Sequence, residues 1–372
     1  MKKILFLVNH DVVIYNFRYE LVEALRKEGH EVVISSPYGE RIKDLQELGC
    51  KYVETRVSRH GTNPIKDFGL FLKYIKLLRR EKPDIVFSYT IKPNIYGGMA
   101  CEILGVPYVT NITGLGSAVE NGGMMQKITV LLYKMAFMRV QKVFFQNLEN
   151  MQFFIDNKIA VKKHGILPGS GVNLKKFAYE EYPTEEKTEF AFISRIMKEK
   201  GADQYLEAAE KIHTKYPNTM FHVCGFCEEA YEERLADLQK RGVIIYHGMV
   251  RDVRTVIKDM HCIIHPTYYP EGLSNVLLEA SACGRPIITT NRSGCREVID
   301  DGVNGFITEQ KSTEDLIEKI EKFLELDYET KKNMGKAGRK KVEKEFDRNI
   351  VVKEYMHELV RVHRGGKRNE RV

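Results

Sequence analysis

Two glutamates, Glu271 and Glu279, stand in the stretch HPTYYPEGLSNVLLEASACGRPIITTNRSGCREVIDDGVNGFITE, which runs from His265 to Glu309. The apolar run Cys262-Ile263-Ile264 before it reads as a buried strand, and Pro270 with Gly272 breaks the chain before Ser274 and Asn275 open a short helix. A helix start presents unpaired N–H groups at the positive end of the macrodipole, so a phosphate fits against Ser274 and Asn275. Asn275 and Glu279 share one helix face at i, i+4, where a carboxylate accepts hydrogen bonds from hydroxyls of a bound ligand. Glu279 taken singly also fits a solvated helix face. Together they suit a phosphorylated, hydroxyl-rich ligand.

A second group lies upstream, where Ser194-Arg195-Ile196-Met197-Lys198-Glu199-Lys200-Gly201 joins a strand, Phe190 to Ser194, to a helix, Ala202 to Lys215. The run EGLSNVLLEASACGRPII through SGCREVIDDGVNGF resembles the signature of glycosyltransferase family 4, retaining enzymes of the two-domain GT-B fold, and Arg195 with Lys200 matches the family's R-x4-K element. The resemblance implies that Arg195 and Lys200 hold a diphosphate, that Glu279 binds ribose and that Glu271 orients the donor sugar. Breaking a sugar–diphosphate bond builds negative charge on the leaving group, and two fixed cations stabilise it more in the transition state than before. Arg195, Lys200 and Glu271 are therefore the catalytic candidates, and Gly272, Leu273, Ser274, Asn275 and Glu279 complete the donor-binding set.

The elements that must position these groups alternate along the chain. Lys3 to Asn9 reads as a strand, Phe17 to Gly29 as an amphipathic helix and Glu31 to Ser35 as the next strand; the alternation continues through Arg41–Leu48, Lys51–Glu54, Asp67–Glu81, Ile85–Ser88, Gly97–Leu104, Tyr108–Ile112, Val143–Gln146 and Leu148–Asn157. Such alternation predicts an α/β, doubly wound parallel sheet. Gly165 to Asn173, with three glycines and Pro168, reads as a hinge and resembles the family's P-x-G-V-D stretch with Asn173 in place of aspartate. The expected organisation is two Rossmann-like domains facing a cleft. Residues 1–170 would bind acceptor, 171–347 the nucleotide sugar, and a helix over 348–362 would cross back to the first domain. A basic tail, 363–372, would lack fixed structure.

Acceptor chemistry is expected from loops at the carboxyl ends of first-domain strands. Tyr89 to Asn94 offers Lys92, a cation suited to a diphosphate, and Asn94; Asn111 to Ser117 offers Thr113, Gly114 and Gly116. The first loop, Asn9 to Asn16, carries no glycine where many family members have a pair, which leaves Asn16 and Arg18 as candidates there. RHGTNPIKD, TIKPNIYGG and NITGLGS are similar to stretches of transferases that assemble bacterial surface polysaccharide and lipid-linked glycans. The resemblance thus implies a UDP-hexose or UDP-N-acetylhexosamine donor and a polyprenyl-diphosphate-linked glycan acceptor. Lys66–Lys82 carries six basic and two acidic residues among apolar ones, and Met124–Phe145 carries four basic residues and no acid. Both fit an anionic membrane surface, and both also fit helices packed on the sheet.

Composition bounds the alternatives. At 372 residues and 43% hydrophobic, the chain is long enough for two domains with substantial cores. A net charge of +7 permits phosphate-rich partners without implying nucleic acid. The amino terminus MKKILFLVNHD turns polar too soon for a signal peptide, and no run approaches the ~18 apolar residues of a spanning helix. A cytoplasmic protein, peripheral on the inner face of the plasma membrane, is the expectation. Seven scattered cysteines read as reduced thiols, and the lone Cys224-Gly225-Phe226-Cys227 as a structural pair rather than a zinc site. His265 reads as a buried, hydrogen-bonded imidazole. With no Asp-x-Asp, the expected chemistry needs neither metal nor cofactor. The rival functions are a nucleotide-sugar epimerase of the same fold and a non-catalytic nucleotide-binding membrane scaffold.

Overall fold

The computed structural model describes residues 1–57, 63–116, 119, 122–184 and 186–366. The chain divides into two compact units, Met1–Gly171 with Arg348–Val372, and Val172–Asp347.

In the first unit seven parallel strands form one sheet: β1 Lys3–Leu7, β2 Glu31–Ser36, β3 Lys51–Glu54, β4 Ile85–Tyr89, β5 Tyr108–Ile112, β6 Lys142–Phe145 and β7 His164–Ile166, in the order β3-β2-β1-β4-β5-β6-β7. The central strands are continuously apolar because helices cover both faces. On β1, Leu5 and Leu7 face a core with Leu70 and Tyr74 of the helix Pro64–Glu81. Ile4 and Phe6 face the other side, against Leu21, Leu25 and Tyr355. Tyr355 belongs to the last helix, Arg348–Gly366, which is how the chain end contributes to this unit's core.

The second unit repeats the plan with six parallel strands, β8 Thr188–Ile193, β9 Thr219–Cys224, β10 Ile244–Gly248, β11 Cys262–His265, β12 Ile287–Thr290 and β13 Gly305–Thr308, ordered β10-β9-β8-β11-β12-β13. The order reverses direction between β8 and β11. Loops leaving neighbouring strands at such a point diverge to opposite faces and leave a crevice at the carboxyl edge, the usual ligand position in doubly wound sheets.

Five expectations change. The first loop is a helix, Asp11–Phe17, capped by His10 Nδ1, which accepts from the Val12 N–H at 3.2 Å. Arg18 separates it from the helix Tyr19–Lys27, so the expected single helix from Phe17 starts later. Pro93–Gly97 forms a π-helical turn ahead of the helix Gly98–Leu104. The basic run from Met124 is divided between the helix Gly123–Ala136 and β6. The final helix continues through Gly366, beyond the expected Val362, and residues 367–372 of the tail lie outside the described residues. So do residues 59–62 of the RHGTNPIKD stretch and Ser117.

Candidate active site

Four loops, after β8, β9, β11 and β12, converge where the second sheet reverses order. The first follows β8 and carries Arg195 and Lys200; backbone bonds Ile196 N to Phe226 O (2.9 Å) and Glu228 N to Ile196 O (3.0 Å) tie it to the loop after β9. The third follows β11: the Tyr268 N–H donates to Glu199 O at 2.9 Å, and the Ser274 N–H donates to Gly294 O at 2.8 Å. Glycine is required where these loops touch. Gly201 has φ +80°, and a Cβ there would collide with the Pro266 carbonyl. Gly294 has φ +91°, and its Cβ would come within 2.9 Å of Glu271 Cβ and the Gly272 carbonyl.

The frame brings the three catalytic candidates together. Lys200 Nζ is paired with a Glu271 carboxylate oxygen, the two side chains being 9% and 18% exposed. Burial pushes the Glu271 carboxyl up, and the charge and hydrogen bond of Lys200, with Arg195 beside it, outweigh that and hold it below its ordinary value. Arg195 is paired with Glu228, and both are about a third exposed. The Tyr269 ring lies against both cations, its centroid 5.3 Å from the Arg195 guanidinium carbon and 4.6 Å from Lys200 Nζ. Under this layer His265 is 2% exposed, and neither ring nitrogen has a hydrogen-bond partner among the described residues, unlike the bonded imidazole expected. Burial first, then the Lys200 charge, lower its pKa to about 3, so the ring stays neutral.

The helix Asn275–Ala282 starts beside Glu271, with Ser274 in the N-cap position, making no side-chain cap bond. The Asn275 side-chain oxygen is buried without a hydrogen-bond partner among the described residues. Leu273 packs into the core beneath, and Glu279 is half-buried one turn along the helix. Two cations, a carboxylate held ionised and a helix start with free amides are suited to a phosphorylated ligand.

The acceptor candidates belong to the first unit and fare differently. Arg18 is 2% exposed, its guanidinium 5.0 Å from the Tyr89 ring centroid and 5.8 Å from that of Tyr355. Its guanidinium is enclosed by the two rings within the core. Asn94 is also interior, its side-chain N–H donating to Asn111 O at 2.9 Å. Lys92 is paired with the buried Asp67 at 2.6 Å, to which the Tyr96 hydroxyl also donates at 3.2 Å. Thr113, Gly114 and Gly116 lie on the loop after β5, and Asn16 is exposed on the helix Asp11–Phe17. Gly116, at φ +74°, would place a Cβ 2.9 Å from the Ile91 side chain.

Sequence reasoning missed Glu228, Tyr269 and the roles of Gly294 and His265. Tyr269 sits two residues before Glu271, yet nothing in the sequence said which groups its ring would meet. All seven cysteines are free, including Cys224 and Cys227, and no group of three or more His, Cys, Asp or Glu suited to a metal occurs among the described residues.

The match to known families follows the same division. The model "Glycosyl transferase 4-like" matches residues 3–147, and "Glycosyl transferases group 1" matches 176–341, the half holding Arg195, Lys200 and Glu271. The chain belongs to the GT-B glycosyltransferases. Its similarity to one curated relative runs nearly end to end. This glycosyltransferase is 27% identical over 369 residues, 94% of its own length and 96% of the relative's, to N,N'-diacetylbacillosaminyl-diphospho-undecaprenol alpha-1,3-N-acetylgalactosaminyltransferase of Campylobacter jejuni. It is 26% identical over 278 residues, 68% of its length and 69% of the relative's, to the UDP-Gal:alpha-D-GlcNAc-diphosphoundecaprenol alpha-1,3-galactosyltransferase of Escherichia coli. Among solved structures, HepE of Anabaena in complex with UDP and glucose matches in fold with a TM-score of 0.78 at 16% identity, covering 97% of this chain and 99% of that one. No helix among the described residues is long and apolar enough to cross a membrane.

Proposed function

We propose that this glycosyltransferase moves a hexose or N-acetylhexosamine from a UDP-sugar to a polyprenyl-diphosphate-linked glycan, with retention of configuration and without a metal. The observation that carries the donor half is the Lys200–Glu271 pair beside Arg195, at the switch point of the second sheet. There Arg195 and Lys200 neutralise the leaving diphosphate, Glu279 takes the ribose hydroxyls and Glu271 orients the sugar. The acceptor attacks from the leaving-group face, and the departing phosphate takes its proton. The acceptor class rests on the relatives, whose names specify diphospho-undecaprenol-linked sugars.

A lipid-linked acceptor requires a membrane-facing surface, and the composition of one face of the first unit supports that reading. The helix Gly98–Leu104 packs between the helices Pro64–Glu81 and Gly123–Ala136. Their outer faces expose Phe68, Leu72, Met124, Ile128, Leu131 and Met135. The acids of the first of these helices, Asp67 and Glu81, are buried. The basic residues Lys66, Lys73, Lys76, Lys127 and Lys134 flank the apolar stripes, a pattern that suits anionic headgroups at the inner membrane face.

A radiolabelled transfer assay with a panel of UDP-sugars and a polyprenyl-diphosphate-linked acceptor tests the whole, with the product's anomeric configuration read by NMR. Lack of acceptor-dependent UDP release across the panel would sink it, and an inverted product would remove the retaining assignment.

A further inference from the structure

The cations of the proposed donor site are held unequally. The Lys200–Glu271 pair is mostly buried, at 9% and 18% side-chain exposure, whereas Arg195 and Glu228 stand at 35% and 34%. A pair in contact with water contributes little, while separating a buried pair leaves an uncompensated charge and is far more costly. An arriving diphosphate therefore displaces Glu228 from Arg195 and leaves Glu271 on Lys200. During that exchange the Arg195 guanidinium loses a carboxylate that fixes its direction, and the neighbouring Lys200 repels it.

The Tyr269 ring opposes both effects. Its π-face attracts cations, and it lies within cation–π range of Arg195 and Lys200 together, at 5.3 and 4.6 Å. The ring is anchored. The Tyr269 N–H donates to Thr267 Oγ1 at 3.1 Å, the Thr267 carbonyl accepts from Thr290 Oγ1 at 2.5 Å, and the Tyr268 N–H holds the loop carrying the cations through Glu199 O at 2.9 Å. We propose that Tyr269 is the positioning residue of the donor site, its ring holding Arg195 beside Lys200 while the diphosphate takes the place of Glu228. The inference rests on the second unit being the donor site.

Calorimetric titration with UDP alone, on the full chain, tests it with Tyr269→Leu, Tyr269→Phe and Glu228→Gln. Tyr269→Leu should weaken UDP about tenfold and Tyr269→Phe by clearly less, because the second loses the hydroxyl's interaction with Arg195 and keeps the aromatic face. Glu228→Gln should tighten UDP about threefold or more, because a neutral amide competes less well for Arg195. In transfer assays Tyr269→Leu should raise KM for the UDP-sugar far more than it lowers kcat. Thermal melting of each variant tells lost folding from lost binding, and Glu228→Gln leaves the ring in place. UDP binding by a folded Tyr269→Leu at wild-type affinity, or Phe as damaging as Leu, overturns the role of the ring. Weaker binding by Glu228→Gln overturns the exchange. A wild-type protein that does not bind UDP refutes the donor site itself, a result distinct from either.

Discussion

Replacing Lys200 by methionine keeps the volume of the chain and removes the charge that holds Glu271 ionised. Without it, burial dominates and the Glu271 pKa rises. Burial of most of the carboxylate side chain then favours the neutral acid. The sign follows from proton linkage. At pH 8 the carboxyl must either stay charged in a poor site or take up a proton on folding, at the cost of a broken buried pair, about 3–5 kcal/mol; at lower pH, where it protonates more readily, the cost is smaller. For a unit of this size that is a loss of roughly 10 °C in Tm at pH 8 and a smaller loss at pH 5. Differential scanning calorimetry at the two pH values measures it, and Glu271→Gln in the same chain should restore most of the loss at pH 8. Equal destabilisation at both pH values, with no recovery in the double variant, would refute this account of the pair. Turnover should be lost in both, so activity alone does not separate chemistry from folding here.

Arg18→Ala removes a side chain enclosed by Tyr89 and Tyr355 and should lower stability by about 3 kcal/mol; an unchanged melt with only the acceptor KM raised would return Arg18 to the acceptor site. Gly294→Ala forces a residue at φ +91° and pushes a methyl against Glu271, so kcat/KM should fall about tenfold to a hundredfold while urea unfolding shows a loss of about 1–3 kcal/mol; wild-type kinetics would show the loop yields. His265 has a folded pKa depressed to about 3, so the unfolded chain takes its proton first as pH drops. Its share of stability is thus complete above ~6.5 and declines towards 3, and His265→Leu should flatten that acid limb in urea titrations between those limits; an unaltered limb would place the acid sensitivity elsewhere. Leu131→Glu with Met135→Glu should reduce co-sedimentation with anionic vesicles at least about fivefold, leaving UDP binding unchanged; unaltered sedimentation would move the membrane contact off this helix.

Most elements were legible because their signals are local. Apolar runs such as Ile4–Leu7 or Cys262–Ile264 report strands buried on both faces, and the helices Ala202–Lys215 and Tyr328–Glu345 fall at the bounds their periodicity gives. The exceptions have local causes of a different kind. Asp11–Phe17 is a helix because a histidine caps it, a signal weaker than the serine or aspartate that usually marks a start. His164–Ile166 is three residues long, too short for any periodicity, and is a strand because β6 pairs with it.

The site divides along the same line. Arg195, Lys200, Glu271 and the helix start at Asn275 could be named from residue types and spacing, because a diphosphate demands cations and amides wherever the chain turns at a strand end. Which cation is fixed and which exchangeable could not, because that depends on exposure, and exposure is set by loops separated by many residues in sequence. The burial of Arg18 between Tyr89 and Tyr355 is of this kind, joining the start of the chain to its last helix. So is the meeting of Tyr269 with both donor-site cations, since strand order, not spacing along the chain, brings the loops after β8 and β11 side by side.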